Sequence, residues 1–314
     1  MSNRNNAVTC YFLDVGQGTS QVIILNGHRA IIIDTGRKCK DTSPLLTLLR
    51  NSNIQTIEAL ILSHNGSDHI GDVENILDQY LDKIRRVFIL FDRPLKENKT
   101  YNIMKASIGN DIKFDEIVVR LEAKENTGDI FVDIEHNLSI SVLYPYVRNN
   151  VESEKNGTCA VIALLVGDQK IIFSGDAPVE AWRTIISHNG KQSLQILTIP
   201  HHGGNFTINE KDHQWFFENV TTRYAVVSVG YNNKYNHPQP DIIRSFVQHG
   251  AEILCTQSNP ICNFETSDND VTCCGTVVAD IDSQCTTIRD IIKLQEIKNK
   301  FPNCLCKNES AGNF

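Results

Sequence analysis

The sequence predicts an α/β (α+β) fold in which a mixed sheet is covered by helices. Short apolar runs of the length of buried strands recur along the 314 residues. Amphipathic stretches with helical spacing separate many of them. The first three strand-like runs follow one another as a meander before the alternation begins, which favours a mixed sheet over an all-α or all-β domain. No repeat of fixed period and no long linker interrupts this pattern. Residues 1–314 therefore read as one domain, with a cysteine-containing C-terminal extension from about residue 251 to 314.

In chain order, Cys10–Val15 reads as a strand that turns at Gly16-Gln17-Gly18. Gln21–Leu25 and Ala30–Ile33 read as two more, joined by the tight turn at Asn26-Gly27. Ser43-Pro44 is a helix start, with serine as N-cap and proline in the first turn, and the helix runs over Leu45–Asn51. Glu58–Leu62 is a strand and Val73–Leu81 a helix. Arg86–Phe91 is a strand, Lys96–Ile108 a weakly marked helix, and Ile117–Leu121 and Leu138–Leu143 are strands. Asn149–Asn156 is a polar loop. Thr158–Val166 and Lys170–Phe173 form a hairpin across Gly167-Asp168. Pro178 opens a helix to about Ser187. Leu194–Ile199 is a strand, Asn209–Glu218 a helix, Tyr224–Val229 a strand and Gln239–His249 a helix. Ile253–Cys255 and Val277–Ile281 are expected to pair at an edge, beyond the polar loop Ser258–Thr272. Thr287–Lys300 is expected as a closing helix.

Composition excludes several classes of protein. With 41% hydrophobic and 21% charged residues the chain is of ordinary globular type. No run of about 18 apolar residues is present, so no membrane span is expected. Met1–Thr9 is polar and lacks an apolar signal core, so no export is expected and the location reads as cytoplasmic. A net charge of −7 argues against a general polyanion-coating surface but leaves room for a local basic groove. The ten cysteines, without an export signal, read as thiols rather than a disulfide framework. Five of them lie between Cys255 and Cys285. They could hold a structural zinc, but they contain no Cys-x-x-Cys pair, and buried or surface thiols are the preferred reading.

The chemistry concentrates at strand ends. Ser63-His64-Asn65-Gly66-Ser67-Asp68-His69-Ile70-Gly71-Asp72 joins a buried strand to a helix, and Asp68 and His69 are expected at the helix start, where the dipole favours a carboxylate. Imidazole nitrogen and carboxylate oxygen are the usual ligands of zinc and its neighbours. Asp34, Asp176 and His201-His202 follow strands in the same way. In open sheets, residues just beyond strand ends converge on a common crevice. A capping aspartate or a satisfied histidine explains any one of these groups, but three such clusters together point to a metal site.

Six motifs occur in a fixed order from Phe12 to Pro238, over two thirds of the chain. They are Phe12-Leu13-Asp14-Val15-Gly16-Gln17-Gly18, Ile32-Ile33-Asp34-Thr35-Gly36, and Leu62-Ser63-His64 with Asp68-His69-Ile70-Gly71. Phe173-Ser174-Gly175-Asp176-Ala177, Pro200-His201-His202-Gly203-Gly204, and Ser228-Val229-Gly230 with Asn233-x-Tyr235-x-His237-Pro238 complete the set. This order resembles the metallo-β-lactamase superfamily, and within it the hydrolase domain at the C-terminal end of the DNA-uptake competence protein ComEC. The resemblance implies an αββα sandwich, two mixed sheets flanked by helices, with one or two divalent ions, zinc or manganese. It implies His64, Asp68, His69, Asp176 and His201 as metal ligands, with His201 slightly preferred to His202. It gives catalytic roles to Asp176, His202 and His237, substrate contact to Tyr235 and His237, and site-shaping roles to Asp14, Asp34 and Asn233.

The chain also departs from the family. Gly66 stands where the family places a ligand, Thr19 where ComEC-like chains usually have aspartate, and Asn156-Gly157-Thr158-Cys159 where many members supply a histidine. One firmly bound ion is therefore expected, on the Asp68-His69 side, with a second binding weakly or only with substrate. The function implied is a metal-dependent hydrolase, a phosphodiesterase or nuclease acting on nucleic acid or nucleotides through metal-activated water. The alternatives are a lactone, thioester or amide hydrolase on the same scaffold, and a degenerate enzyme that serves as a binding or regulatory subunit. The partners expected are a nucleic acid or nucleotide, no membrane, and a protein in a bacterial defence or stress system.

Overall fold

A computed structural model of the chain describes residues 8–39, 43–90, 97–109, 111–122, 128–146, 159–207, 209–231, 233–258 and 273–290. One sheet contains β1 (Val8–Phe12), β2 (Gln21–Leu25), β3 (Arg29–Ile33), β4 (Thr56–Leu62), β5 (Val87–Ile89), β6 (Val118–Arg120), β14 (Val277–Ile281) and β15 (Thr286–Ile288). Its order is β15-β14-β1-β2-β3-β4-β5-β6. The other contains β7 (Asp129–Asp133), β8 (Leu138–Tyr144), β9 (Val161–Val166), β10 (Gln169–Phe173), β11 (Gln192–Thr198), β12 (Val220–Val227) and β13 (Glu252–Cys255), in the order β13-β12-β11-β10-β9-β8-β7. Both sheets are mixed. The pairs from β3 to β6 and from β10 to β13 are parallel, and the rest are antiparallel.

Both faces of the central strands are buried, which explains their continuous apolar runs. In β2 and β3, Ile23, Leu25, Ile31 and Ile33 face the other sheet. The alternate residues Val22, Ile24, Ala30 and Ile32 face a layer formed by α1 (Pro44–Asn51), α2 (Val73–Tyr80), α3 (Lys99–Ile108) and α4 (Asp111–Ile117). The second sheet is covered likewise by α5 (Val179–Asn189), α6 (Glu210–Asn219) and α7 (Pro240–Gln248), around the fully buried Trp182 and Phe216. The result is two sheets between two helical layers. Ser43 caps α1 as expected, its hydroxyl accepting from Leu46 N at 3.2 Å.

One end of the sandwich is tied shut. Arg29 of β3 donates from Nε to Glu58 Oε1 at 2.7 Å and from Nη1 to Asp133 Oδ2, across the sheets, at 2.8 Å. Asp133 also bonds His136 Nδ1 at 2.9 Å, and His136 Nε2 lies 2.7 Å from Asn26 Oδ1. Asp168 N donates to Ser283 O at 3.1 Å, and Thr286 Oγ1 to Gln169 Oε1 at 2.9 Å. The opposite end, where β3, β4, β10, β11 and β12 finish, carries the chemistry.

Several expectations need correction. β13 and β14 do not pair: β13 lies parallel to β12 and β14 antiparallel to β1, in different sheets. The late part of the chain is thus built into both sheets. Thr287 belongs to strand β15, not to a closing helix, and residues beyond 290 lie outside the described ones. α4 was not anticipated, because among its residues Phe114 alone is buried and apolar spacing is weak. β7 is an edge strand with aspartate at both ends, so its pattern does not announce a strand. Asp68 and His69 precede α2, whose N-cap position is Asp72, so the helix dipole does not act at those two residues as expected. The loop 149–156, residues 259–272, Lys96 and Thr158 lie outside the described residues.

Candidate metal centre

Each strand end delivers one component. After β3 the chain turns at Asp34, with φ of 56°, and its carboxylate is almost fully buried. Oδ1 accepts Ser63 N at 2.7 Å and Oδ2 accepts Ser63 Oγ at 2.6 Å, which fixes the first residue after β4. Oδ2 also lies 2.7 Å from His69 Nδ1. With that nitrogen donating, the other nitrogen of the fully buried His69 ring is left facing Asp176, 3.2 Å from Oδ1. Thr19 Oγ1 lies 3.3 Å from both ring nitrogens of His69.

Asp176, after β10, is the centre of the cluster. Oδ2 is 3.4 Å from His64 Nε2, and Oδ1 is 3.6 Å from His202 Nε2. His202 Nε2 is also 3.3 Å from Asp68 Oδ2. Two overlapping donor groups result, His64/His69/Asp176 and Asp68/His69/His202, each with its ligand atoms within 4.8 Å of one another. The His202 ring is held from behind, Nδ1 lying 2.8 Å from Ser228 O after β12. Asp176 Oδ1 and His202 Nε2 are buried, yet neither forms a hydrogen bond of good geometry. Buried polar atoms left unpaired are costly, and these converge on one place. A divalent cation fits such a donor set of imidazoles and carboxylates.

Of the adjacent pair, His202 and not His201 enters the donor groups, which reverses the order expected from the sequence. Both residues have left-handed backbone, φ of 52° and 55°, so their side chains diverge. The His201 ring instead meets His237 edge to face at 5.1 Å. The two glycines that follow make room for this: a Cβ on Gly203 would strike Pro238, and one on Gly204 would strike the His237 ring. Gly66 has a comparable reason. A Cβ there would come 2.5 Å from His64 Nε2 and 3.1 Å from Asp68 Oδ1, between the two donor groups.

Electrostatics follow from this crowding. Burial opposes charge on His69, but Asp176 and Asp34 outweigh it and hold its pKa well above the ordinary value. Burial likewise opposes ionisation of Asp176, and His69, His64 and His202 overcome it to hold that carboxyl well below the usual range. Asp68, against its own burial, is lowered to about 2 by His202 and His69. His237 is lowered to about 4 by burial and by His201 and His202.

The remaining expected residues act on loops. Asp14 Oδ1 accepts Gly16 N at 3.2 Å and Gln257 Nε2 at 2.7 Å, while Gln257 Oε1 accepts Tyr231 N at 2.8 Å. Asp14 therefore ties down the glycine turn and the 231 loop and touches none of the donor groups. Asn233 donates to Gly230 O and His237 O and accepts from His237 N, closing the loop that carries Tyr235. Two residues were given no role in the sequence. Cys159, buried, accepts Asp176 N at 3.0 Å and lies 3.9 Å from His64 Nδ1. Arg37 is exposed, and its stem lies against Gly18, as does the Asp68 carbonyl. Among the described cysteines, none joins a metal-ligand group.

Residues 13–91 match the family model described as Metallo-beta-lactamase superfamily. The chain has the metallo-β-lactamase fold. The chain is also similar to ComEC-like competence proteins. ComE operon protein 3 of Bacillus subtilis (strain 168) is 24% identical over 263 residues, 79% of this chain and 31% of that protein. Competence protein ComA of Neisseria gonorrhoeae is 26% identical over 259 residues, 82% of this chain and 32% of that protein. The chain thus spans about a third of the length of these curated relatives. Among solved structures, a mutant of the β-hydroxylase CmlA superposes with a TM-score of 0.50 at 9% identity, over 79% of this chain and 52% of that one. Among the described residues no helix is long and apolar enough to cross a membrane.

Proposed function

We propose that this chain is a metal-dependent hydrolase of phosphodiesters in nucleic acid or nucleotides. The observation that carries the reading is the convergence of His64, Asp68, His69, Asp176 and His202, with Asp176 Oδ1 and His202 Nε2 buried and unpaired. When bound, a divalent ion such as Zn²⁺ or Mn²⁺ supplies Lewis acidity and lowers the pKa of water toward ~7. Asp68, His69 and His202 form the better group to hold one firmly, since both rings are fixed by hydrogen bonds at their other nitrogens. His64 and Asp176 offer a thinner second position, in keeping with Gly66.

The chain's own groups divide the remaining work. Asp176, ionised at neutral pH, faces both donor groups and is placed to hold the ion and orient the attacking water. His237 is neutral at pH 7, so it fits donation of a hydrogen bond to a phosphoryl oxygen rather than proton delivery to the leaving group. Arg37, exposed beside the Asp68 loop, adds attraction for an anionic substrate. The relatives named for competence support a substrate of nucleic acid type. Purified protein is assayed on single-stranded DNA, RNA, cyclic nucleotides, a lactone and a thioester, with Mn²⁺ or Zn²⁺, beside Asp176→Ala. Cleavage of a phosphodiester that falls at least ~100-fold in the variant is the expected result. Equal background in both proteins, or turnover of the lactone or thioester alone, overturns it.

A further inference from the structure

From the metal centre outward runs a column of nearly parallel rings. His202, which faces Asp68 and Asp176, lies 6.5 Å from His237 at an interplanar angle of 21°. His237 lies 5.7 Å from Tyr235 at 15°. Tyr235 is 51% exposed, one of the few large apolar side chains at the surface among the described residues. The column is held in place from several sides. Asn233 accepts from His237 N at 2.8 Å and donates to His237 O at 2.7 Å. Gln239 N donates to Gly203 O at 2.7 Å, joining this loop to the His202 turn. Lys234 Nζ stands 5.0 Å from the centroid of the Tyr235 ring. An exposed aromatic ring that stacks on His237 and carries a cation over it, two ring-steps from a site for phosphodiester cleavage, has the composition of a base-stacking platform.

We infer that Tyr235 stacks an unpaired nucleobase of the substrate and so makes the site selective for single-stranded nucleic acid. The inference rests on the phosphodiesterase reading and adds the substrate class. A base in a duplex has both faces covered by its neighbours and cannot lie on the ring without leaving the stack. A free base can, and its phosphate is then within the reach of Lys234. Stacking reads no hydrogen-bond pattern, so little sequence preference is expected.

The test uses a fluorescently labelled single-stranded oligonucleotide, the same strand in a duplex, and the same strand with abasic residues. Binding is read by fluorescence anisotropy and cleavage by gel, for wild type, Tyr235→Ala and Tyr235→Phe. The expected result is preference for the single strand, with affinity about tenfold weaker for Tyr235→Ala. Tyr235→Phe, which keeps the ring, restores affinity to within about twofold of wild type. The abasic strand is expected to bind wild type and Tyr235→Ala alike. Equal affinity of wild type and Tyr235→Ala for the single strand, loss of equal size on the abasic strand, or no oligonucleotide binding overturns the inference. Cleavage that persists with no effect of Tyr235→Ala overturns the platform but leaves the phosphodiesterase reading standing. A wild type that binds single strands through Tyr235 yet cleaves none supports the platform and overturns the hydrolase.

Discussion

At the scale of single residues, the His201-His202 pair is the sharpest case. Both are histidine, both follow β11, and nothing in their types separates them. The left-handed turn does, sending His202 to Asp68 and Asp176 and His201 to His237. His202→Ala is therefore expected to weaken Mn²⁺ or Zn²⁺ binding by ~10–100-fold or more in titration calorimetry, and His201→Ala by less than about threefold. The reverse ranking would restore the order expected from the sequence. His69 supplies a second test. Its pKa is raised by Asp176 and Asp34, so the metal-free protein carries a proton there at neutral pH, and metal must displace it. Apparent affinity should rise with pH, with about one proton released per ion near pH 7 in calorimetry across buffers of different ionisation enthalpy. No proton release would contradict that electrostatic picture. The candidate donors were legible in the sequence, because His64, Asp68, His69 and Asp176 sit in motifs at strand ends. Their partners were not: Cys159, Ser63 and Arg37 matter through where they touch, and a linear pattern does not show that.

At the scale of elements, strands with both faces buried announced themselves as apolar runs, and the helices with strong caps, such as α1 behind Ser43 and α6 behind Asn209, were legible in the same way. α4 and β7 were not: α4 is dominated by charge with Phe114 alone buried, and β7 is a short edge strand bounded by aspartates. The partners of β13 and β14 were not legible either, because pairing depends on which sheet each late strand reaches. The closed end of the sandwich makes a separate claim. Asp133 of β7 bridges to Arg29 of β3, and its pKa is lowered: burial would raise it, but His136 and Arg29 outweigh that. A lowered carboxyl contributes stability above the unfolded value of about 3.9, and the contribution is lost as pH falls through the folded pKa. Asp133→Asn is expected to cost ~2 kcal/mol in urea unfolding at pH 7. It should also flatten the loss of stability below pH 4 relative to wild type. An unchanged midpoint at pH 7 would show that the two sheets do not depend on this bridge.

At the scale of the whole molecule, the two sheets place β3 and β4 on one side of the crevice and β10, β11 and β12 on the other. The metal centre is assembled only when they face each other. That is why residues as distant as Asp34 and Ser228 serve neighbouring rings. Under the proposed function, a chain with a net charge of −7 would take an anionic substrate because ions held at the centre would offset its carboxylates. The central claim is that the convergent donors are a metal centre. An anomalous difference map, recorded at the manganese edge from crystals soaked in Mn²⁺, tests it most directly. The account expects a strong peak among Asp68, His69, His202 and Asp176, with a weaker one, or none, beside His64. A map without a peak there at saturating Mn²⁺, or with its only peak at the closed end of the sandwich, where the ligand atoms of Asp133, Glu135 and His136 also lie within 4.8 Å of one another, would contradict it.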